Sequence, residues 1–428
     1  MTGTEMLIEM WLIDRLIEYA RNARLITQAA VDKVAASIKE FGFRQPIVVD
    51  KEGVIIVGHV RLRAAKKLGF THVPVHVAAN LTPAQVRAYR LMDNRSHEEV
   101  EWDMAMLGAE LLELKDLDID MFLTGFNGRE LDTLLRDPLE DEKANQVPPV
   151  PTVAVSQVGD LWLLGDPPLQ HRVLCGDATN PEAVARLLGE SRPLLMVTDP
   201  PYGVGLEPEW REEVGLNPST RQGGKVCNDD RVDWSAAYKL FGGDVAYVWH
   251  AGVHAAEVAT SLDSCEFQIR AQIIWKKQHF AISRGAYHWG HEPCWYAVRK
   301  GKTSHWSGDR TQSTVWEVAN LNPFGGKSDA ENEVTGHGTQ KPVELMRRPI
   351  LNHTKRGELV YEPFMGSGTT LAAAELTGRV CYGLELDPKY CDVIVQRWET
   401  LTNRQATLEG GSTFDQVRQE RLGEATEI

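Results

Sequence analysis

The sequence lacks several patterns that would assign it directly to a protein class. Its six cysteines are scattered, with no CxxC pair and no His/Cys spacing of a zinc site, which predicts reduced thiols and no metal. The opening run MTGTEMLIEMWLIDRL carries acids among its apolar residues, so neither a signal peptide nor a membrane span is expected. Neither GxGxxG nor GxxxxGKS/T occurs, which argues against dinucleotide and nucleoside triphosphate sites. We expect a cytoplasmic protein.

The charge of the chain is unevenly distributed. The net charge is −14, and the window from Glu98 to Lys143 holds 15 acids and four bases. From Gln268 to Gln312 there are eight bases, two acids and seven interleaved aromatic residues. Such a window suits a surface that follows phosphates and stacks on bases, although core aromatics with solvated charges explain it equally well. The candidate DNA-binding residues are Lys276, Lys277, Arg284, Arg299, Lys300 and Lys302.

The order of patterns predicts several segments. Residues 1–80 combine a helix over 26–41, strands at 46–50 and 54–57 that form a hairpin, and a helix over 60–68. A helical acidic connector (81–145), a proline-rich linker (146–158), a large domain (159–402) and a flexible tail (403–428) follow. Strands and helices alternate in the large domain. We therefore expect an α/β fold with a mostly parallel, doubly wound, Rossmann-like sheet, preceded by a small α+β domain.

The stretch TDPPYG, residues 198–203, follows an apolar run that predicts a buried strand. Its two prolines lack amide donors and hold a rigid turn, so Asp199 and Tyr202 lie where a core strand ends. The glycine-rich residues 203–230 after it predict a lid loop.

A second informative stretch is LVYEPFMGSGTTLAAAEL, residues 359–376. A short strand runs into Gly366-Ser367-Gly368-Thr369 and then into a helix, whose free N-terminal amides and small residues let a ligand approach the backbone. A further strand ends at Glu385, 17 residues past Gly368, where an acid holds ribose hydroxyls in doubly wound nucleotide folds.

These motifs resemble the S-adenosylmethionine-dependent DNA amino-methyltransferases, over about residues 159–402. DPPY is similar to that family's catalytic motif, Phe364-Met365-Gly366-Ser367-Gly368 to its FxGxG cofactor motif, and TQKPVEL (339–345) to an element that closes over the cofactor's methionine end. The motif order resembles the beta class, whose target-recognition region would be about 268–335 here. The resemblance implies cofactor-binding residues Asp177, Thr339, Gln340, Lys341, Pro342, Glu362, Phe364, Gly366, Ser367, Gly368, Thr369 and Glu385. For Asp177, an N-cap of the following helix is equally expected.

The chemistry explains the DPPY turn. An exocyclic amino group is a poor nucleophile because its lone pair is conjugated into the ring of the base. The Asp199 carboxylate and the Pro200 carbonyl can accept its two hydrogens, Pro201 stiffens the turn, and Tyr202 can stack on a flipped base. In the family that the sequence resembles, Asp as the first letter of the motif is usual for the adenine enzymes, which implies N6 of adenine as the target. N4 of cytosine, an RNA substrate, and a non-catalytic methylase fold on a ParB-like DNA-binding protein are the alternatives.

The first 80 residues resemble the ParB-like domain, which is related to sulfiredoxin. FGFRQPIVV (41–49) and VGHVRLRAAKKLG (57–69) carry the likeness, and Gly58, Arg61, Ala64 and Ala65 match its nucleotide-binding box. The domain has no cysteine, which excludes sulfinic-acid reduction. We expect a role in DNA positioning or assembly. Double-stranded DNA is the expected partner, with homodimer formation and nucleotide binding by this domain left open.

Overall fold

The protein's structure, a computed structural model, describes residues 7–22, 24–96, 99, 102–117, 119–135, 138–205, 228–281, 286–307, 312–319 and 340–423. The chain divides into two compact units, Met1–Leu135 and Arg136–Ile428. Across the described ranges, no helix is both long enough and apolar enough to cross a membrane. The five cysteines within those ranges are buried free thiols.

The first unit contains a four-stranded sheet in the order β1–β4–β2–β3. Its strands are β1 Ile8–Leu12, β2 Ile47–Val49, β3 Ile55–Val57 and β4 His72–Val77. Its helices are Gln28–Phe41, His59–Lys67, Pro83–Ser96, Met104–Asp116 and Gly128–Leu134, with 3-10 turns at Ile13–Arg15 and Met121–Thr124.

The expected elements of the N-terminal region are present in this unit. Strands β2 and β3 pair antiparallel, which confirms the hairpin. The side chain of Thr27 caps the first helix by accepting from the amide of Ala30. The helix that follows the hairpin begins after Gly58, one residue earlier than expected. Its Ala64 and Ala65 are fully buried, because Ala65 packs on the sheet and Ala64 on the helix Gln28–Phe41.

The second unit contains a ten-stranded sheet in the order β11–β9–β10–β8–β7–β12–β13–β6–β5–β14. Its strands are β5 Leu161–Leu164, β6 His171–Cys175, β7 Leu195–Thr198, β8 Val245–Trp249, β9 Phe267–Ala281, β10 Trp289–Arg299, β11 Val315–Glu317, β12 Leu359–Glu362, β13 Val380–Glu385 and β14 Thr407–Leu408. Its helices are Pro138–Asn145, Pro181–Leu188, Ser235–Tyr238, Ala255–Ser264, Val343–His353, Thr369–Leu376, Pro388–Thr402 and Phe414–Leu422, with a 3-10 turn at Gly252–His254.

The centre of this sheet is parallel, in agreement with the expected Rossmann-like class. Strands β8, β7, β12, β13 and β6 pair parallel in that order. Antiparallel pairs flank them, β9 and β10 on one side and β5 and β14 on the other. Two apolar layers cover the two faces, with alternate residues of β7 in each: Leu195 and Val197 in one, Met196 in the other. Such burial on both faces is typical of parallel strands.

The prediction of a flexible tail from residue 403 is wrong for residues 403–423. Strand β14 pairs with β5, and the helix Phe414–Leu422 begins with a capping box formed by Thr413 and Gln416. Phe414 and Val417 are both 2% exposed, because they lie one turn apart on the helix face that packs on Trp162 and its neighbours. The polar residues of this helix lie on its solvent-exposed face.

Candidate active site

The DPPY residues lie directly after the central strand β7, which ends at Thr198. Pro200 is buried, and the carbonyl of Pro201 accepts a hydrogen bond of 3.0 Å from the indole of Trp234. The Asp199 side chain remains 25% exposed at the edge of the sheet. The Asp199 carboxylate therefore lies directly after the strand, on a turn that the Trp234 hydrogen bond to Pro201 stabilises.

Lys341 contacts this carboxylate directly. Its Nζ donates to the two carboxylate oxygens of Asp199 at 2.8 and 2.7 Å and to the Tyr202 hydroxyl at 2.8 Å. The ammonium also lies 5.1 Å from the ring centre of Tyr202 and 5.5 Å from that of Trp249. The sequence predicted that Lys341 would close over the cofactor, but the structure places its ammonium group on Asp199, the predicted catalytic carboxylate.

A second carboxylate, Glu292 on β10, completes a chain of alternating charges. Its Oε2 lies 3.0 Å from Lys341 Nζ and accepts from the Tyr202 hydroxyl at 3.2 Å, and its Oε1 lies 2.5 Å from Lys277 Nζ. The order of the groups is Asp199, Lys341, Glu292, Lys277. The four formal charges sum to zero, as buried charges require.

The protonation states follow from these contacts. Burial would lower the pKa of Lys341, but Asp199 and Glu292 outweigh it and raise the pKa above its usual value. Burial would raise the pKa of Glu292, but Lys341 and Lys277 lower it to about 2. Burial raises the pKa of Asp199 although Lys341 acts in the opposite direction. Lys341 and Glu292 are therefore both charged at neutral pH.

The predicted cofactor turn lies at the same edge of the sheet, after β12. Gly368 has φ +81° and a side-chain carbon added there would lie 3.1 Å from Ile394, so glycine suits both the conformation and the space. The ring of Phe364 packs on Trp234 at 4.7 Å between ring centres. On β13, a side chain at Gly383 would lie 2.5 Å from Met365, so glycine is also needed beneath the turn.

Glu385 lies at the end of β13, beside this turn. Its Oε2 accepts from the amide of Gly366 at 2.7 Å and its Oε1 from the amide of Asp387 at 2.9 Å. Burial raises the pKa of Glu385 to about 7, although these amides act in the opposite direction. The amide of Leu386 also acts on this carboxyl, so at least one of its roughly four acceptor positions remains for a ligand.

Glu362 does not face a ligand as the sequence predicted. The side chain is buried and accepts from the hydroxyls of Thr198 at 2.6 Å and Thr370 at 2.7 Å, and from the amide of Phe364 at 3.1 Å. Burial raises the pKa of Glu362 to about 8, and the three donors oppose this increase. The carboxyl group joins Thr198, the residue before Asp199, to Thr370 in the helix after the cofactor turn, and so supports both.

Several of the remaining predicted cofactor residues form hydrogen bonds with other parts of the protein. Ser367 and Thr369 accept from Arg397, and Gln340 donates to the carbonyl of Asn145. Asp177 is exposed and accepts from the amide and hydroxyl of Thr179. The alternative that it caps the next helix is wrong, because Asn180 is the N-cap. Pro342 precedes the helix Val343–His353, and Thr339 lies outside the described residues.

Within the described residues, four bases of the basic window contact acids or backbone carbonyls of the protein itself. Lys276 pairs with Glu317 and Lys300 with Asp263, while Lys277 belongs to the charge chain. Arg299 does not face DNA, because its guanidinium donates to the backbone carbonyls of residues 241, 243 and 265. Lys302 is exposed. Arg284 and most of the predicted lid loop lie outside the described residues, as does the predicted target-recognition region beyond residue 319.

The ParB-like box shows a comparable use of its arginine. The Nη1 of Arg61 donates to the carbonyls of Gln45 and Pro46 and to the Gln45 side chain, at 3.0 to 3.3 Å. Arg63 pairs with Glu18 at 2.8 Å. Arg61 thus supports the loop before β2, and nucleotide binding by this unit stays a prediction.

Sequence reasoning missed four residues that build the site: Glu292, Trp249, Asn145 and Arg397. Glu292 carried a signal, because it is one of two acids in the otherwise basic window 268–312. An acid in such a position needs a cationic partner. The contacts of Asn145 and Arg397 join segments about 200 and 250 residues apart, and no sequence pattern reports them.

A parallel sheet with an acidic DPPY turn and a glycine turn at neighbouring strand ends defines a Rossmann-like methyltransferase. Comparison with known families agrees with this class. Residues 194–396 match the family described as DNA methylase, residues 105–158 match the ParB-methyltransferase HTH domain, and residues 6–95 match the ParB N-terminal domain. Residues 194–396 thus match the DNA methylases, and two ParB-type domain families match the residues before them.

Individual relatives match separate parts of the chain. Type II methyltransferase M2.MboI of Moraxella bovis is 26% identical over 227 residues, 49% of this chain and 81% of that protein. Type II methyltransferase M.Cfr9I of Citrobacter freundii is 41% identical over 103 residues, 24% of this chain and 30% of that protein. The ParB-like nuclease domain-containing protein YnaK of Escherichia coli (strain K12) is 41% identical over 73 residues, 17% of this chain and 84% of that protein.

Solved structures include similar chains. The M1.HpyAVI–SAM complex has a TM-score of 0.38 and 22% identity, covering 53% of this chain and 97% of that one. ParB from Caulobacter crescentus, complexed with CTP-gamma-S, has a TM-score of 0.27 and 18% identity, covering 32% of this chain and 82% of that one.

The charge chain predicts a difference between two glutamates in the stability of the second unit. We expect Glu292→Gln to lower the free energy of unfolding by about 3 kcal/mol, because two largely buried lysines lose a shared carboxylate. Glu317→Gln is the matched control, since its pair with Lys276 is exposed and should leave the urea midpoint unchanged. Urea unfolding followed by tryptophan fluorescence measures both. Equal midpoints for the two variants would show that Glu292 does not stabilise the site.

Proposed function

We propose that this chain transfers the methyl group of S-adenosylmethionine to the exocyclic N6 of adenine in double-stranded DNA. The observation that carries the proposal is the placement of three features at the ends of the neighbouring strands β7, β12 and β13. These are the Asp199 carboxylate, the glycine turn and the Glu385 carboxylate. Ligands bind outside the carboxyl ends of strands in open parallel sheets, so an acceptor group and a cofactor would meet here.

The acceptor side of the site suits an amino group. Asp199 and the Pro200 carbonyl can accept its two hydrogens, which localises the lone pair on nitrogen as positive charge develops there. Lys341 contacts both oxygens of Asp199, so it holds the carboxylate in one orientation. Glu292 offsets the charge of Lys341, so the negative field of Asp199 is not cancelled at the reacting nitrogen.

The donor side of the site suits S-adenosylmethionine. Space is open beside Gly366, whose φ is +52°, and Glu385 keeps acceptor capacity for a ribose hydroxyl beyond its backbone donors. The N-terminus of the helix Thr369–Leu376 directs free amides toward the turn. When bound, the cofactor supplies an activated methyl group on a sulfonium. The protein's own part is to align the amino nitrogen with that methyl group.

The target is proposed to be a base turned out of the duplex, because an amino group in a base pair cannot reach a site of this kind. Asp as the first letter of the motif favours adenine in the family that the sequence resembles. N4 of cytosine is the second candidate, because the same two acceptors fit either amino group. Nucleoside analysis of methylated product distinguishes the two, and RNA in place of DNA tests the remaining substrate. We infer a cytoplasmic, DNA-associated protein, and homodimer formation stays a prediction.

The acceptor role of Asp199 predicts a selective loss of methyl transfer. We expect Asp199→Asn to lower the single-turnover rate about 10²–10³-fold, because a fixed charged acceptor is lost. S-adenosylmethionine affinity by calorimetry should stay within a few-fold, since the proposed cofactor contacts lie at the ends of β12 and β13 and Asp199 follows β7. Asp415→Asn, on the exposed pair with Arg418, is the control.

Two outcomes would contradict this assignment. Near-normal turnover in Asp199→Asn would remove the acceptor role. A wild-type chain that binds DNA and cofactor but yields no methylated nucleoside would favour the non-catalytic alternative.

The raised pKa of Glu385 predicts a pH dependence of cofactor affinity. Below pH about 7 the carboxyl is protonated, so it accepts hydroxyl hydrogens poorly and affinity should fall as the pH drops from 8 to 6. Glu385→Gln should weaken binding by about 1.5–3 kcal/mol at pH 8, through loss of charge-assisted hydrogen bonds, and remove most of the pH dependence. Calorimetry across this range measures both effects. A pH dependence kept by the variant would assign it to another group.

A further inference from the structure

Two separate segments of the active site converge on one short helix, Pro138–Asn145. This helix lies outside residues 194–396, which match the DNA methylase family, and inside residues 105–158, which match the ParB-methyltransferase HTH domain. It nevertheless belongs to the second compact unit. Ala144 is fully buried in that unit's core.

The carbonyls at the C-terminal end of this helix are the points of contact. The last four carbonyls of a helix have no partner within it, and they form the negative end of the helix dipole. The Ala144 carbonyl accepts from Arg397 Nε at 3.2 Å and Nη2 at 2.7 Å. The Asn145 carbonyl accepts from the Gln340 side chain at 2.8 Å. Arg397 and Gln340 thus donate to two carbonyls that have no hydrogen-bond partner within the helix.

The Arg397 side chain extends this contact to the cofactor turn. Its Nη1 donates to the carbonyl of Ser367 at 2.7 Å and to the hydroxyls of Ser367 and Thr369 at 3.3 Å. The side chain is 3% exposed. One guanidinium therefore joins Ala144 to the turn that is proposed to hold the methyl donor.

The Asn145 side chain makes the second contact, with the segment that carries Lys341. Its Oδ1 accepts from the amide of Val343 at 3.0 Å, so Asn145 binds the chain both before and after Lys341. One turn earlier, Asp141 forms a largely buried ion pair with Arg347 on the helix Val343–His353. The segment that carries the Lys341 ammonium onto Asp199 is thus held at three points by this helix.

We propose that the helix Pro138–Asn145 is a positioning element of the active site. Asn145 is the positioning residue for Lys341, and Ala144 acts through Arg397 on the glycine turn. Methyl donor and amino acceptor then share one support, contributed by the segment between the ParB-type unit and the methylase domain. This inference rests on the proposed function for its kinetic consequences, whereas the contacts can be tested without turnover.

The first test compares Asn145→Ala with Glu142→Ala in the full chain. Glu142 is exposed on the same helix and serves as the control. Asn145→Ala should lower kcat for DNA methylation about tenfold, since a small displacement of a reacting group is costly, and should change the cofactor Kd less than twofold. Asn145→Asp keeps an oxygen for the Val343 amide and should restore most of kcat.

The second test addresses the other contact. Arg397→Lys keeps the charge but cannot join the Ala144 carbonyl to the turn. It should raise the cofactor Kd about tenfold, with a smaller effect on kcat at saturating cofactor. Asn145→Ala should thus lower mainly kcat, and Arg397→Lys should raise mainly the cofactor Kd. A general loss of stability would not separate the two effects in this way.

A third measurement is independent of catalysis. Amide hydrogen exchange at Val343 should become faster in Asn145→Ala and stay unchanged in Glu142→Ala. Unchanged kcat in Asn145→Ala, or a joint fall of kcat, cofactor affinity and Tm, would overturn the proposal. If wild-type protein methylates no DNA, the proposed function fails, and the Val343 exchange and the cofactor Kd of Arg397→Lys still decide whether the helix holds both segments.

Discussion

The ammonium group of Lys341 lies between the carboxylates of Asp199 and Glu292, and the arrangement of the active site depends on this buried charge. An isolated charge in such a position would cost several kcal/mol, so it persists only with partners of opposite sign and full hydrogen bonding. Lys277 on β9 completes the balance by contacting Glu292. A turn, two strands and a loop are therefore held together by one electrostatic requirement, and the orientation of Asp199 follows from it.

The parallel sheet supplies the frame on which this charge chain is built. Strands β7, β12 and β13 are neighbours, so the groups at their carboxyl ends lie side by side although the chain separates them by as much as 186 residues, from Asp199 to Glu385. Glu362 ties the first two of these ends together, through hydroxyls on either side of it. The carboxyl group of Glu362 is buried, and it holds Thr198 and Thr370 in fixed positions. A residue within a sequence motif can thus act by holding neighbouring strand ends together.

Charge counted along the sequence differs from charge presented by the fold. The window 268–312 carries a local excess of bases, yet acids from other strands and loops pair with Lys276, Lys277 and Lys300. Arg299 is used to hold three backbone carbonyls. In the acidic connector, Asp141 similarly serves an internal arginine. A window average reports composition, whereas the field outside the protein depends on which side chains remain unneutralised.

The sequence by itself determined the class of fold, the DPPY turn, the glycine turn and the position of Glu385. These features are local: apolar runs, prolines and glycines act on the backbone within a few residues, so their order along the chain reports them. The tertiary structure alone decided that Lys341 contacts Asp199, that Glu292 balances it, that Glu362 faces inward, and that residues 403–423 fold onto β5 and its neighbours. Each of these depends on side chains brought together from distant segments, where burial and pairing of charge, rather than local propensity, select the partner.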